Sequence, residues 1–157
     1  MEMEKESSRI VLDRDRLEYY LPHRDWALAL DSVTYDLEIK DRLTAIKKLS
    51  ATDPYFKGHF PGNPVLPGHW QLELICLAGA VLCGLMFPAQ NGYPILTSFE
   101  GMKLRRPIKP GDSIEIRVAF LRQEIIHRNT HYFLSGAIFL NGKKASSVEE
   151  IHGVLVT

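Results

Sequence analysis

The chain has 157 residues, with 19 lysines and arginines balanced by 19 aspartates and glutamates, and 45% of its residues are apolar. This length and composition predict a single globular domain over residues 1–157 and exclude intrinsic disorder. The absence of net positive charge argues against a nucleic-acid partner, which requires a basic surface. The only cysteines, Cys76 and Cys83, show neither a disulfide framework nor the spacing of a zinc site.

The chain begins with a polar, acidic stretch, and residues 1–8 are expected to form a flexible tail. No secretory signal is visible there. The longest apolar stretch, residues 70–87, is interrupted by Gln71 and Glu73, and what remains is short for a membrane span. We therefore expect a cytoplasmic protein without membrane insertion.

The first half of the chain predicts few regular elements. Asp13 to Tyr20 forms a short predicted helix with Asp13 as its N-cap, because aspartate side chains accept hydrogen bonds from helix N-termini. Trp26–Tyr35 and Arg42–Leu49 are predicted strands. The segment from Asp53 to Gly68 contains four prolines and three glycines, so we expect an irregular loop.

The second half predicts one long helix followed by about four antiparallel strands. Gly68 to Met86 is apolar on almost every side, which indicates a helix buried all round. The period-two patterns that follow predict three strands in particular, which are Ser113–Arg122, Tyr132–Leu140 and Ala145–Val156. Asn141-Gly142 is a strong hairpin signal between the last two. The predicted class is α+β, with an antiparallel sheet around a central helix. Because one sheet leaves part of this helix exposed, we expect a dimer that joins two sheets edge to edge.

Three residues around the start of the long helix suggest chemistry. Glu73 is the only acidic residue between Asp53 and Glu100 and belongs to the most apolar helix, although helix starts also favour carboxylates. His59 lies among glycines and a proline that can orient its ring, although a lone loop histidine is usually a surface residue. Gly68 exposes backbone N–H groups at the helix N-terminus, where they can polarise a carbonyl, although glycine caps are common.

Several motifs together are more specific than any one of these residues. The chain contains Leu21-Pro22-His23-Arg24, then His59 in the run GHFPG, then Glu73 fourteen residues later. Arg106-Pro107 and Pro110-Gly111-Asp112 follow. In this order and spacing the chain resembles the hot-dog-fold 3-hydroxyacyl-acyl-carrier-protein dehydratases of bacterial fatty acid synthesis, over most of its length. Glutamate at position 73 is similar to the dehydratase-only branch of that family.

The resemblance implies a long helix wrapped by an antiparallel sheet, and a homodimer or a trimer of such dimers. It implies shared sites in which His59 of one subunit faces Glu73 of the other. The implied reaction converts 3-hydroxyacyl thioesters to trans-2-enoyl thioesters without a metal or cofactor. His59 would remove the C2 proton, Glu73 would protonate the leaving hydroxyl, and the N–H of Gly68 would stabilise the enolate oxygen.

The chain departs from the family pattern near the implied acyl tunnel. Leu77 stands where the family often has glutamine, Ile95 stands where it often has an aromatic gate, and His69 replaces an apolar residue. Phe60 and Trp70 are further candidates for the tunnel wall, although any one of these apolar residues is more often plain core. The departures favour a specialised lipid or polyketide pathway.

A basic cluster follows the predicted tunnel residues. Four cations fall within seven residues, and they are Lys103, Arg105, Arg106 and Lys109. Such a cluster can steer an acidic acyl carrier protein, although charge runs are often solvated strand ends.

Two other functions fit the same fold expectation. A hot-dog acyl thioesterase would use a carboxylate to activate water and would not need His59. A catalytically idle acyl-binding subunit is the other alternative, which the departures at Leu77 and Ile95 favour.

Overall fold

One long helix and one antiparallel sheet make up most of the structure, a computed structural model that describes residues 8–157. The predicted tail lies almost entirely outside the described residues. Its last member, Ser8, accepts a hydrogen bond from the N–H of Leu37 at 2.7 Å, so this end of the tail is held against the chain that follows the second strand.

The helices are α1 (Arg14–Tyr20) and α2 (Gly68–Met86). The strands are β1 (Arg9–Asp13), β2 (Ser32–Asp36), β3 (Arg42–Lys48), β4 (Tyr93–Glu100), β5 (Lys103–Leu104), β6 (Ser113–Ile126), β7 (Asn129–Leu140) and β8 (Lys143–Val156). Along the sheet the strand order is β1-β2-β3-β6-β7-β8-β4, and β5 also pairs with β8. All of these pairings are antiparallel, as predicted.

Helix α2 has the predicted bounds and contacts five strands, β3, β4, β6, β7 and β8. Helix and sheet pack closely at Gly136 of β7, where an added Cβ would lie 2.2 Å from a methyl of Ile75. By length and composition α2 also suits a membrane span, contrary to our expectation, but ten of its residues are buried within the domain. Packing against the sheet therefore accounts for its apolar character.

The prediction that α2 is buried all round is wrong along one stripe. Glu73, Cys76, Ala80 and Gly84 recur at helical spacing, and all four are only partly buried. The stripe faces strand β4, where a cavity separates helix and sheet. This opening between α2 and β4 is the feature of the fold that positions the candidate site.

Local signals are confirmed where they involve neighbouring residues. The carboxylate of Asp13 accepts the N–H of Arg16 at 3.0 Å and caps α1. Asn141 and Gly142 join β7 to β8 with φ values of 50° and 75°, as a type I′ hairpin turn requires.

The prediction of one strand over Trp26–Tyr35 is wrong in its first half. A 3₁₀ turn occupies Asp25–Ala27, and the strand begins only at Ser32. The carbonyls of Asp25 and Leu28 accept hydrogen bonds from the guanidinium of Arg14, so they are not available to a sheet ladder. Residues 28–30 are also buried in succession rather than alternately.

The sheet is larger than predicted. Strand β1 falls just after the expected tail, and the two-residue β5 makes five strands after α2 instead of about four. Strands β6 and β7 extend beyond Arg122 and before Tyr132, and they meet in a turn at His127 and Arg128 with φ values of 48° and 70°. Neither residue is a glycine or asparagine, so the sequence carries no signal for this turn.

Candidate active site

The loop before α2 holds His59 in a defined orientation. The N–H of Val65 donates to the carbonyl of His59 at 2.8 Å, and the ring Nδ1 of His59 lies 2.8 Å from the carbonyl of Val65. A carbonyl can only accept, so Nδ1 carries the hydrogen and donates it. In the neutral ring this leaves the lone pair on Nε2, the atom that can then take a proton from a substrate.

Backbone hydrogen bonds tie this loop to its surroundings. Phe60 and Asn63 bond to each other through both N–H groups, at 3.1 and 3.0 Å. The N–H of Leu66 donates to the carbonyl of Ile108 at 2.8 Å, and the buried amide of Gln71 donates to the carbonyl of Leu66 at 3.2 Å. The segment after Arg106-Pro107 thus supports the loop that carries His59.

Glu73 lies in the second turn of α2 at the rim of a cavity of about 460 Å³, which we call the site cavity. Its Oε1 is 3.8 Å from Nε2 of His23, and its side chain is 41% exposed. The other ring nitrogen of His23, Nδ1, is buried without a hydrogen-bond partner. The structure therefore pairs Glu73 with a residue for which the sequence suggested no chemical role.

The site cavity is mainly apolar. Its lining residues are Pro22, His23, Glu73, Cys76, Leu77, Ala80, Tyr93, Pro94, Ile95 and Leu96. Of the residues that the sequence suggested, Glu73, Leu77 and Ile95 line it, whereas His59, Phe60 and Trp70 do not. Within one chain, then, the histidine and the glutamate of the implied pair belong to different surfaces.

Phe60 and Trp70 lie outside the lining of the site cavity. The ring of Phe60 is 55% exposed and stacks on the ring of His59, with centroids 4.0 Å apart. Trp70 packs against Tyr55 and Trp26, with centroids 4.5 and 5.5 Å away. Phe60 is therefore placed to shield the His59 ring from one side, and Trp70 belongs to an aromatic cluster at the start of α2.

Gly68 is the first residue of α2, where backbone N–H groups have no partner within the helix. The N–H groups of Trp70 and Gln71 bond to the carbonyl of Pro67, at 3.1 and 3.2 Å. A Cβ on Gly68 would lie 2.7 Å from a methyl of Leu104. The close approach of β5 therefore favours glycine here.

Several cavity residues were missed by sequence reasoning. Cys76 and Ala80 follow Glu73 at helical spacing, so periodicity places them on the same face of α2 as Glu73, although it does not show that this face is open. Tyr93 and Pro94 belong to a strand for which we gave no bounds. His23 was noted only as part of a motif, and its contact with Glu73 spans 50 positions of the chain.

The thiols of the chain are shielded by their surroundings. Burial raises the pKa of Cys76 to about 12, and the charge of Glu73 adds to this shift. Burial also raises the pKa of Cys83 to about 12. Among residues 8–157, no group of three or more histidine, cysteine, aspartate or glutamate side chains is arranged to hold a metal ion.

The basic cluster is exposed throughout. Lys103 pairs with Glu149 at 3.3 Å, and Arg105 donates to the hydroxyl of Ser147 at 2.7 Å. These partners lie two residues apart on β8, so Lys103 and Arg105 share one face of the sheet. The strand ends before Arg106 and Lys109.

The chain is similar to known proteins over most of its length. Residues 36–142 match the family model described as ApeI-like, ApeI dehydratase. The 3-hydroxyacyl-[acyl-carrier-protein] dehydratase FabZ of Koribacter versatilis is 36% identical over 86% of this chain and 84% of its own. The FabZ of Thiobacillus denitrificans is 36% identical over 71% of this chain and 79% of its own.

A solved structure confirms the hot-dog fold. The dehydratase heterocomplex ApeI:P from Xenorhabdus doucetiae superposes with a TM-score of 0.51 at 20% identity, covering 74% of this chain and 89% of the other. At this identity the match concerns the fold alone. The α+β prediction, with an antiparallel sheet around a central helix, is thereby confirmed.

Proposed function

Since the chain belongs to the ApeI-like dehydratase family, we propose that it removes water from 3-hydroxyacyl thioesters carried by acyl carrier protein and forms trans-2-enoyl thioesters. The protein would act in the cytoplasm, in fatty acid synthesis or a specialised lipid or polyketide pathway. The observation that carries this proposal is the orientation of His59, whose Nδ1 is engaged by Val65 while Nε2 is free to accept a proton.

In the proposed reaction His59 and Glu73 divide the proton transfers. Nε2 of His59 takes a proton from C2, and the electrons of that bond form the C2–C3 double bond as the hydroxyl leaves C3. Glu73 supplies the proton that converts the hydroxyl to water. The N–H of Gly68 stabilises negative charge on the thioester oxygen, because N–H groups at a helix start have no internal partner.

The site is completed by a second subunit in this proposal. The sheet order ends at β4, and three apolar residues of this strand, Ile95, Leu96 and Phe99, have exposures between 38% and 47%. Long apolar edge strands favour pairing with another strand. Pairing β4 with its copy would form a homodimer and bring His59 of one subunit toward Glu73 of the other, around a tunnel lined by Leu77 and Ile95.

Acyl carrier protein would dock on the basic cluster. Lys103 and Arg105 share one exposed face, and Leu104 between them contacts Gly68. An acidic carrier bound to these cations would therefore deliver its thioester near the start of α2. Arg106 and Lys109 extend the same positive region.

Product analysis tests the reaction class. We expect the protein to convert 3-hydroxyacyl thioesters to enoyl thioesters with loss of water. Release of free thiol from saturated acyl thioesters would instead indicate a thioesterase, and no product from either would indicate an acyl-binding subunit. Both of these outcomes contradict the proposal.

Substitution of the two proposed catalytic residues tests their roles. We expect His59→Ala and Glu73→Gln each to lower kcat by about 100-fold or more, as is usual for lost acid–base groups, with circular dichroism unchanged. His127→Asn and Glu38→Gln, which alter an exposed histidine and an exposed glutamate, are matched controls expected to keep wild-type rates. Wild-type turnover of crotonyl thioester by either site variant would overturn the assignment.

A further inference from the structure

Two smaller cavities adjoin the site cavity along α2. The first, of about 30 Å³, lies between α2 and the strands β4, β7 and β8, and we call it the sheet-side cavity. The second, of about 20 Å³, lies near the end of α2, and we call it the helix-end cavity. Ala80 and Pro94 line all three cavities, so these two residues form the junction through which any ligand longer than the site cavity would pass.

The side chains along the partly buried stripe of α2 become smaller toward the end of the helix. From Glu73 the stripe continues through Cys76 and Ala80 to Gly84, so each successive side chain is smaller. The space that the last of these leaves is filled, because a Cβ on Gly84 would lie 2.8 Å from the ring of Tyr20. The free path along the helix therefore ends shortly after Ala80.

The far side of the helix-end cavity is closed by aromatic rings. Phe87 and Tyr132 stack with centroids 5.4 Å apart, and Tyr132 is 1% exposed. Tyr20 completes this wall from α1. Neither small cavity has room for more than about one methylene group or water molecule, so the site cavity alone accommodates a chain of several carbons.

The helix provides a length scale for that chain. Ala80 lies seven residues after Glu73, which corresponds to about 10 Å along an α-helix. An extended acyl chain advances by about 1.3 Å per carbon, given C–C bonds of about 1.5 Å. A chain whose C3 lies beside Glu73 therefore reaches Ala80 after about eight further carbons.

Resting on the proposed function, we propose that Ala80, opposite Pro94, sets the acyl-chain length, so that the preferred substrates are medium-chain 3-hydroxyacyl thioesters of about 10–12 carbons. Tyr20, seated on Gly84, closes the path to longer chains. Ala80 lines the site cavity two turns beyond Glu73, and Tyr20 lines only the helix-end cavity, so both residues contact the far part of the acyl chain and not the reacting carbons.

Chain-length profiles test this inference. The measurement is kcat/KM for 3-hydroxyacyl thioesters of 4, 8, 12 and 16 carbons.

Ala80→Leu adds three carbons at the junction and keeps a good helix former. We expect it to lower kcat/KM for the 12-carbon substrate at least tenfold, because each methylene that loses its apolar surroundings costs about fourfold in binding. The four-carbon substrate does not extend to Ala80 and serves as the reference, so the measured effect is the fall in the ratio of kcat/KM for the 12-carbon substrate to kcat/KM for the four-carbon substrate. Ala51→Leu, the same change at an exposed position, is the matched control.

Tyr20→Ala tests the same idea in the opposite direction. Removing the ring joins the helix-end cavity to the path beyond Gly84, and we expect kcat/KM for the 16-carbon substrate to rise at least tenfold relative to the four-carbon substrate. This variant also decides the question if Ala80→Leu does not fold, as judged by circular dichroism and thermal unfolding.

The outcomes separate this inference from the function on which it rests. If the wild-type protein dehydrates the four-carbon substrate but the length profile is the same in the folded variants, Ala80 and Tyr20 do not set chain length and the inference is wrong. If the wild-type protein dehydrates none of the four substrates, the proposed function fails, and the length assignment fails with it.

Discussion

At the scale of single residues, the basic cluster shows how a neutral chain can present a local charge. Lys103 is paired with Glu149, whereas Arg105 bonds only to the neutral hydroxyl of Ser147 among its side-chain contacts. Arg106 is exposed beyond the end of β5. The two arginines therefore carry most of the charge available to an acidic partner.

Charge reversal at these arginines is the corresponding test. We expect Arg105→Glu combined with Arg106→Glu to raise KM for carrier-bound substrate about tenfold or more and to weaken its salt dependence, because steering by opposite charge is lost. Activity on pantetheine thioesters should stay within about twofold of wild type, since these substrates do not use the docking surface. Lys40→Glu combined with Lys143→Glu provides the same change of charge elsewhere. An equal loss on both substrate types would show that the arginines are structural.

At the scale of elements, the turn between β2 and β3 is organised by one carboxylate. Asp36 Oδ1 accepts the N–H groups of Glu38 at 2.8 Å and Ile39 at 3.3 Å, and Oδ2 faces the guanidinium of Arg9 on β1. The hydrogen bond from Glu38 is the main cause that lowers the pKa of Asp36. One side chain thus joins the first two strands to the following turn.

This turn has a defined pH dependence. Because the pKa of Asp36 is lowered in the folded state, its stabilising contribution is complete above the unfolded pKa and fades as the pH falls through the folded pKa. We expect Asp36→Asn to lower Tm at pH 7 and to have a smaller effect at pH 3, below the ordinary aspartate pKa of 3.8, because proton binding by the unfolded chain already reduces the contribution there. Thermal unfolding of both proteins at the two pH values measures this. An equal Tm difference at both would contradict the prediction.

At the scale of the whole molecule, the proposed dimer would account both for the absence of His59 from the lining of the site cavity and for the open edge of β4. A second copy of the chain at this edge would cover the exposed apolar side chains and supply the missing half of the site. The dimer is therefore a prediction about activity as well as assembly.

Complementation tests the shared site. Mixing inactive His59→Ala with inactive Glu73→Gln, followed by subunit exchange, should restore up to about a quarter of wild-type activity, because random pairing places both intact residues in one of the two sites of each hybrid dimer. Sedimentation at micromolar concentration should show no monomer. An active monomer, or a mixture that stays inactive although subunits exchange, would exclude shared sites.

Much of the architecture follows from signals that act over a few residues. Pro67-Gly68 and Pro88 bound α2, Asp13 caps α1, and Asn141-Gly142 forms the last hairpin, because capping and turn chemistry depend on immediate neighbours. The motif positions of His59 and Glu73 were likewise evident in the order of the chain. The caps and the turn could be predicted because each depends on local conformational preference, whereas His59 and Glu73 were indicated by the resemblance of their motifs to a known family.

The site cavity and the two small cavities beside it depend on tertiary packing. His23 meets Glu73, and Pro94 meets Ala80, only because α2 packs against segments distant in sequence. The Arg14 contacts that end the predicted strand over Trp26–Tyr35 are likewise long-range. An open stripe on an apolar helix has the same local pattern as a buried one. Whether the stripe is open depends on the positions of β4 and Tyr20 relative to α2. The periodicity of apolar residues within α2 does not specify these positions.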